Sequence, residues 1–214
     1  MMQFVQTIEK PSWVLQSATA ALMTVLNDDA NIDTGPQALF VGGCVRNTLL
    51  KFPVDDIDIA TRLTPEVVTA RLKRAGIKVV PTGLDHGTLT AVIEGKSFEI
   101  TTLRRDVETD GRHAVISYTD DWGEDAARRD FTMNTRLLDG EGHLYDPTGT
   151  GLADLKAGRV VFVGTPARRI AEDYLRILRF FRFYARYGKG EPDSAALKAC
   201  QSAAVHIRNL SRER

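Results

Sequence analysis

Two acids one residue apart, Asp56 and Asp58 in "DIDIAT", are the residues of this sequence best placed to do chemistry. The stretch alternates apolar and polar residues and so predicts a strand. Period two then puts both carboxylates on one face, roughly 6–7 Å apart at their bases, with Ile57 and Ile59 on the other. Two carboxylates side by side repel, and a divalent ion that prefers oxygen ligands removes that cost. In "SFEITTL", Glu99 stands between Phe98 and Ile100, so a neighbouring strand could bring a third acid. Three acids holding two metal ions suit phosphoryl transfer: one ion activates an attacking hydroxyl, the other steadies a leaving pyrophosphate. An isolated D-x-D is more often an acidic strand end facing water, so other residues must decide.

Gly42 and Gly43 in "LFVGGCVRN" follow an apolar strand and open a helix, with Arg46 just beyond. Glycine lets the backbone approach an anion, and free N–H groups at a helix N-terminus bind phosphate. Arg46 could clamp a phosphate oxygen bidentately. Most Gly-Gly pairs are merely turns, but a D-x-D strand only a short helix later favours a phosphate-and-metal site. In "EDAARRDFTMN", Arg128, Arg129 and Asp130 stand together near the end of an expected helix. A guanidinium there could hold a triphosphate or pair with Asp130, and taken alone the ion pair is the better reading.

The stretch from Pro166 to Tyr187 predicts one helix. With Asp173 at zero and 100° per residue, Ile170, Tyr174, Ile177, Leu178, Phe181, Tyr184 and Ala185 fall in an arc from about +20° to +140°, which predicts the core face. Arg176, Arg179, Arg182 and Arg186 occupy the opposite side. Asp173 and Arg176 lie one turn apart and offer the acceptor and donors that the edge of a nucleobase needs; a helix-surface ion pair is the plainer alternative. Phe180 and Phe183 interrupt the basic side, and the sequence leaves open whether they meet another helix or stack on a base.

The elements that must position these residues read as a sheet with helices packed against it, an α/β or α+β domain. Residues 3–27 read as an amphipathic helix broken near Pro11. "TPEVVTARLKRAG" is a helix with Thr64 at its N-cap, Pro65 at N1 and Gly76 past its end. "KVVP", "GTLTAVIEG" and "KSFEITTL" read as strands, the last two joined by a tight turn near Gly95-Lys96, and "TRLLDGEGHLYD" as a hairpin. "GRVVFVG" reads as a last strand. Residues 104–125 are charged and largely aperiodic, which predicts a long loop of the functional or mobile kind. From Thr165 onward the pattern is helical. Zero net charge hides an asymmetry: residues 1–159 carry 17 basic and 23 acidic side chains, residues 160–214 carry 11 and 5. A basic second segment suits a polyanion, although a solvated helical surface would look the same. No apolar run is long enough to cross a membrane. The N-terminus does not read as a secretion signal, and two distant cysteines suggest no disulfide framework, so a reducing cytoplasm is the simplest setting.

Together these residues resemble the tRNA nucleotidyltransferase/poly(A) polymerase family, in particular its bacterial and eukaryotic class of CCA-adding enzymes. The family shows G-G-x-V-R-D, D-x-D, a third acid on a neighbouring strand, R-R-D-x-T-x-N and E-D-x-x-R. Here they stand in that order as "GGCVRN", "DID", "FEI", "RRDFTMN" and "EDYLR". The resemblance implies a polymerase-beta-like nucleotidyltransferase fold: a mixed sheet flanked by helices in a catalytic head over residues 1–160, then the start of an all-helical nucleotide-recognition neck over 161–214. It implies that Gly43 and Arg46, beside Gly42, bind the triphosphate, and that Asp56 and Asp58 hold Mg2+ with Glu99 as third acid. Arg129 would contact the nucleotide, Asp173 and Arg176 would read the base of CTP or ATP in place of a template, and Arg179 and Arg182 would help hold the nucleotide. Loop 104–125 matches a flexible loop linked to the switch from adding C to adding A.

Two departures stand out. Asn47 occupies a position where the family often has Asp, and the chain stops at Arg214 where family members continue into further helices that bind tRNA. The implied activity is template-independent addition of C and A to the tRNA 3′ end with release of pyrophosphate. The alternatives are a poly(A) polymerase, an A-only or CC-only enzyme, and, from a different class, a truncated nucleotide- or RNA-binding module without turnover.

Overall fold

The computed structural model describes residues 2, 4–30, 34–109 and 114–210. The apolar run Ala38–Val41 forms a fully buried strand, β2, after a short edge strand β1 (Gln6–Thr7) and a helix α1 (Ser17–Leu26) that buries Ala18, Leu22, Met23 and Leu26. Helix α2 (Gly43–Leu50) leads into β3 (Asp58–Thr61), and α3 (Pro65–Arg74) begins with Pro65 after the N-cap Thr64. Strands β4 (Lys78–Gly83), β5 (Thr88–Ile93) and β6 (Lys96–Thr102) follow. Ile93 pairs with Lys96 across Glu94-Gly95, both with positive φ, the two-residue turn whose twist suits a hairpin.

Beyond the sheet's first half lie β7 (Arg104–Thr109), β8 (Ala114–Tyr118), α4 (Trp122–Ala127), the short strands β9 (Leu137–Leu138) and β10 (His143–Tyr145), and the helices α5 (Gly151–Ala157), α6 (Pro166–Glu172), α7 (Leu175–Tyr187) and α8 (Ser194–Ala203). The main sheet runs β1-β10-β9-β2-β3-β6-β5-β4, with β3 and β6 parallel and the other neighbours antiparallel. This is the mixed α+β sheet with C-terminal helices that the family resemblance implies. One apolar core packs α1 and α3 on the sheet. A second joins Phe131, Met133, Leu155, Val160 and Phe162 to apolar side chains of α6, α7 and α8.

Five expectations need correction. The helix over 3–27 is confined to α1: Gln6 and Thr7 pair with β10 instead, and Gln3 lies outside the described residues. The long loop 104–125 is a two-stranded hairpin, β7 with β8, followed by α4; residues 110–113 lie outside the described residues. The helix expected over "EDAARRDFTMN" ends at Ala127, and the chain reaches Asn134 through a single 3-10 turn, Thr132–Asn134. "GRVVFVG" makes only one bridge, Phe131 to Phe162, because Val160 and Phe162 turn into the second core.

The fifth concerns Pro166–Tyr187, which is two helices. Asp173 is extended (φ −158°, ψ 109°) and separates α6 from α7. The phase is also shifted: Ile177, Phe180, Phe183 and Tyr187 are buried, while Leu178 and Phe181 are 44% and 47% exposed. The aromatic rings of Phe180 and Phe183 bury more area than Leu178 and Ala185 could, and they meet Phe131 and Phe162 at centroid distances of 5.1–6.4 Å. Among the described residues no helix is long and apolar enough to cross a membrane.

Candidate active site

The register of the sheet brings the predicted residues together. Val41 pairs with Asp58 and Asp58 with Glu99, so the end of β2, its glycines and two acids meet among the central strands of the sheet. Gly42 has φ +73° and ψ −124°, a conformation that a side chain strongly resists, and a Cβ there would lie 3.5 Å from Asp58 Oδ2. Gly42→Ala is therefore expected to cost about 1–3 kcal/mol from backbone strain alone. Denaturant unfolding measures this, and an unchanged midpoint would mean that the turn relaxes freely.

Asp58 opens β3, whereas Asp56 precedes the strand and is exposed. Of the two acids that the alternation places on one strand, only Asp58 lies within it. They still feel each other: burial, then the charges of Glu99 and Asp56, push the Asp58 carboxyl up to about 6, against the pull of Arg129 and Arg46. A carboxylate so placed is short of positive charge. Among the described residues no three carboxylate, His or Cys side chains converge tightly enough to hold an ion unaided. Mg2+ does not need such a cage, because it keeps several waters and takes one or two carboxylates plus substrate phosphates. The oxygen donors of Asp58 and Asp56 fit that ion.

A cleft of about 400 Å3 opens beside Asp58. Gly42, Gly43, Arg46, Asp58, Arg129, Asp173, Arg176 and Arg179 all line it, with Arg128, Asp130, Asn134, Leu175 and Phe183 between them. Arg46 is buried. It donates to Asn47 Oδ1 through Nη2 (2.9 Å) and Nε (3.2 Å) and to Asn134 Oδ1 through Nη1 (2.8 Å), and it lies over the rings of Tyr187 (4.5 Å) and Phe183 (5.2 Å). Arg129 pairs with buried Asp125 (2.8 and 3.0 Å) and not with Asp130. Burial disfavours the Asp125 charge, but Arg129 and Arg128 together hold its carboxyl below the usual range.

Asp130 instead ties the 3-10 turn to α7 within the second core. One oxygen accepts from Asn134 Nδ2 (3.0 Å) and the other from Arg179 Nε (2.7 Å) of α7. Across the cleft, Asp173 Oδ1 accepts from the Leu175 N–H (3.0 Å) at the start of α7. Arg176 pairs with Glu172 (2.7 Å) and donates to the carbonyls of Arg169 and Arg128.

Three predicted residues stand off the cleft wall. Asp56 and Glu99 lie beyond Asp58, and Arg182 is exposed on α7 with its guanidinium 5.9 Å from the Phe183 ring centre. The sequence pattern does not single out Asn134 or Tyr187, and it offers Asp130 only a salt-bridge role. The i, i+4 spacing of Asp130 and Asn134 around a buried Phe131 was the available signal for one of these.

The sequence model described as "Poly A polymerase head domain" matches residues 38–161, more than half of the chain. The chain belongs to that family, which includes the class II CCA-adding enzymes. Mitochondrial CCA tRNA nucleotidyltransferase 1 of Danio rerio is 46% identical over 178 residues, which cover 81% of this chain and 41% of that protein. The CCA-adding enzyme of Anoxybacillus flavithermus is 41% identical over 156 residues, 72% of this chain and 38% of that protein. The crystal structure of the Bacillus stearothermophilus CCA-adding enzyme in complex with CTP superposes with a TM-score of 0.75 at 31% identity, covering 92% of this chain and 46% of that one. A tRNA nucleotidyltransferase complexed with a primer tRNA and an incoming ATP analog gives 0.64 at 28% identity, over 82% and 47%. The chain thus spans about two fifths of the length of the curated relatives it matches.

Proposed function

We propose that this chain carries the catalytic part of a template-independent nucleotidyltransferase that adds C and A to the tRNA 3′ end from CTP and ATP. The observation that carries the reading is one cleft in which a glycine turn, Arg46, Arg129 and Asp58, its carboxyl raised by burial and by neighbouring acids, face the Asp173–Arg176 corner of α6 and α7. The head spans residues 1–160 and the start of the helical neck 161–214. In the reaction a ribose 3′ oxygen bonds to the α-phosphorus, the bond from that phosphorus to the bridging oxygen breaks, and pyrophosphate leaves.

The backbone at Gly42 and Gly43 lets phosphate approach, and Arg46 and Arg129 meet its charge. Asp56 and Asp58, with Glu99 behind them, would hold Mg2+. Magnesium supplies Lewis-acid activation of the hydroxyl and charge neutralisation at the leaving group. Asp173 and Arg176 present an acceptor and donors to the base edge, while Arg179 and Arg182 flank the nucleotide. Relatives with CCA-adding names and CTP- or ATP-analog-bound structures support this reading. A reducing cytoplasm suits the two buried, free cysteines, although the vertebrate relatives are named mitochondrial.

The deciding experiment incubates the chain with magnesium, a tRNA ending before its CCA, and each labelled nucleotide in turn. Ordered incorporation of C and then A supports the reading. Processive incorporation of A alone would support the poly(A) polymerase that the family description also names, and binding without incorporation would leave a nucleotide- or RNA-binding module. Asp173→Ala is expected to relax base choice more than it weakens triphosphate binding, at about 1–3 kcal/mol per lost base contact. Nucleotide preference in pyrophosphate release measures this, and an unchanged preference would reduce Asp173 to a helix cap.

A further inference from the structure

Asn47 lies outside the cleft wall, yet both ends of its side-chain amide are engaged. Its Oδ1 accepts from Arg46 Nη2 at 2.9 Å and Nε at 3.2 Å, and its Nδ2 donates to the Pro53 carbonyl at 2.8 Å. A guanidinium can only donate and a carbonyl can only accept, so the orientation of this amide is fixed by its partners. Pro53 belongs to residues 51–57, the segment that links α2 to β3 and carries Asp56 up to Asp58. The same segment is caught at its start, where the Phe52 N–H donates to the Asn47 carbonyl at 2.8 Å.

Asn47 is also where this chain departs from the family pattern, which often has an acid there. A carboxylate at 47 could still accept from Arg46. It would face the Pro53 carbonyl with no proton to give, and it would offset the Arg46 charge that a triphosphate otherwise meets.

We propose that Asn47 is a positioning residue that sets Arg46 against the Asp56–Asp58 segment and that this chain needs a neutral amide to do it. The proposal rests on the reading of the cleft as a triphosphate and magnesium site. The amide holds the phosphate-binding cation on one side and the entry to the acids on the other, so the two halves of the site keep one spacing.

The test compares the wild-type chain with Asn47→Asp and Asn47→Ala in two binding measurements and a thermal melt. The first is CTP affinity by calorimetry in EDTA, which reads the Arg46 side. The second is Mn2+ affinity by electron paramagnetic resonance at saturating CTP, which reads the acid side. Asn47→Asp is expected to weaken CTP about tenfold. It should weaken Mn2+ about threefold or more, through the lost hold on Pro53. Asn47→Ala should weaken both without the added charge, and hydrogen exchange over residues 51–57 should quicken in both variants. A merely structural role would lower the melting temperature and leave both affinities alone. Affinities within about twofold of wild type in folded Asn47→Asp would overturn the proposal, because the amide would then carry neither side. Failure of the folded wild-type chain to bind CTP would overturn the functional reading itself and the proposal with it.

Discussion

Asp58→Ala is expected to lower nucleotide transfer on the order of 10³-fold or more while leaving the fold intact. Asp58 begins β3 beside the glycine turn, and it is the one acid of the three that lines the cleft. Asp58→Asn separates charge from shape. Burial and the neighbouring acids raise the Asp58 carboxyl to about 6, above the value near 3.9 expected in an unfolded chain. Between those two values the folded state binds the proton more tightly, so stability falls as pH rises through the interval. In magnesium-free buffer at pH 7, Asp58→Asn should therefore be more stable than wild type by about 1–3 kcal/mol. That advantage should fade as the pH falls from about 6 towards 4. Such a variant would be inactive yet more stable, the usual mark of charge held in place for function. Urea unfolding at pH 7 and pH 4 beside a pyrophosphate-release assay provides the comparison. Full activity in Asp58→Ala would end the metal-site reading, and equal stability at both pH values would show that the acids do not crowd one another.

The parts of this site that the sequence displayed are those set by local pattern. The apolar run before Gly42, the Thr64-Pro65 helix start and the alternation through Glu99 each specify an element with little help from elsewhere, and β2, α3 and β6 formed accordingly. Register then followed from strand order, which placed Glu99 beside Asp58.

What the pattern hid depends on distant partners. The break at Asp173 is invisible to a periodicity argument, because Ile170 and Ile177 remain in phase on either side of it and both are buried. The buried face of α7 differs from the predicted arc because Phe180 and Phe183 find their partners in Phe131 and Phe162, which belong to a different part of the chain. The partner of Arg129 was likewise expected at the adjacent Asp130. The fold gives that acid to Arg179, 49 residues away, and leaves Arg129, just past the end of α4, with Asp125 of that helix. Charged residues aimed at a cleft are shared out by tertiary geometry, and sequence adjacency says little about the outcome.

Arg136→Ala should cause the largest loss of stability of any substitution considered, about 3–5 kcal/mol. Arg136 is fully buried and donates to the carbonyls of Met133 and Gly151. Burial pulls its basicity down to about 10, while Asp146 and Asp154 support the charge. Truncation leaves a cavity where a guanidinium stood and unpaired carbonyls around it, and it removes a nearby cation from Asp146, while Asp154 keeps its pair with Arg159. For a chain of this size the cost converts to a melting temperature lower by roughly 10 °C. Arg136→Met should recover part of the loss, since it restores volume but not the hydrogen bonds.

The consequence reaches the cleft because Met133 lies in the same 3-10 turn as Asn134, which accepts from Arg46. Loosening the turn should weaken triphosphate binding even below the melting transition, with Arg136→Ala and Arg136→Met affected alike because both lack the donors. Thermal melts and CTP titrations of the two variants separate packing from anchoring. If Arg136→Met regained CTP affinity in proportion to its melting temperature, the turn would be held by volume alone. Arg46 would then owe its position to Asn47 and the rings of α7.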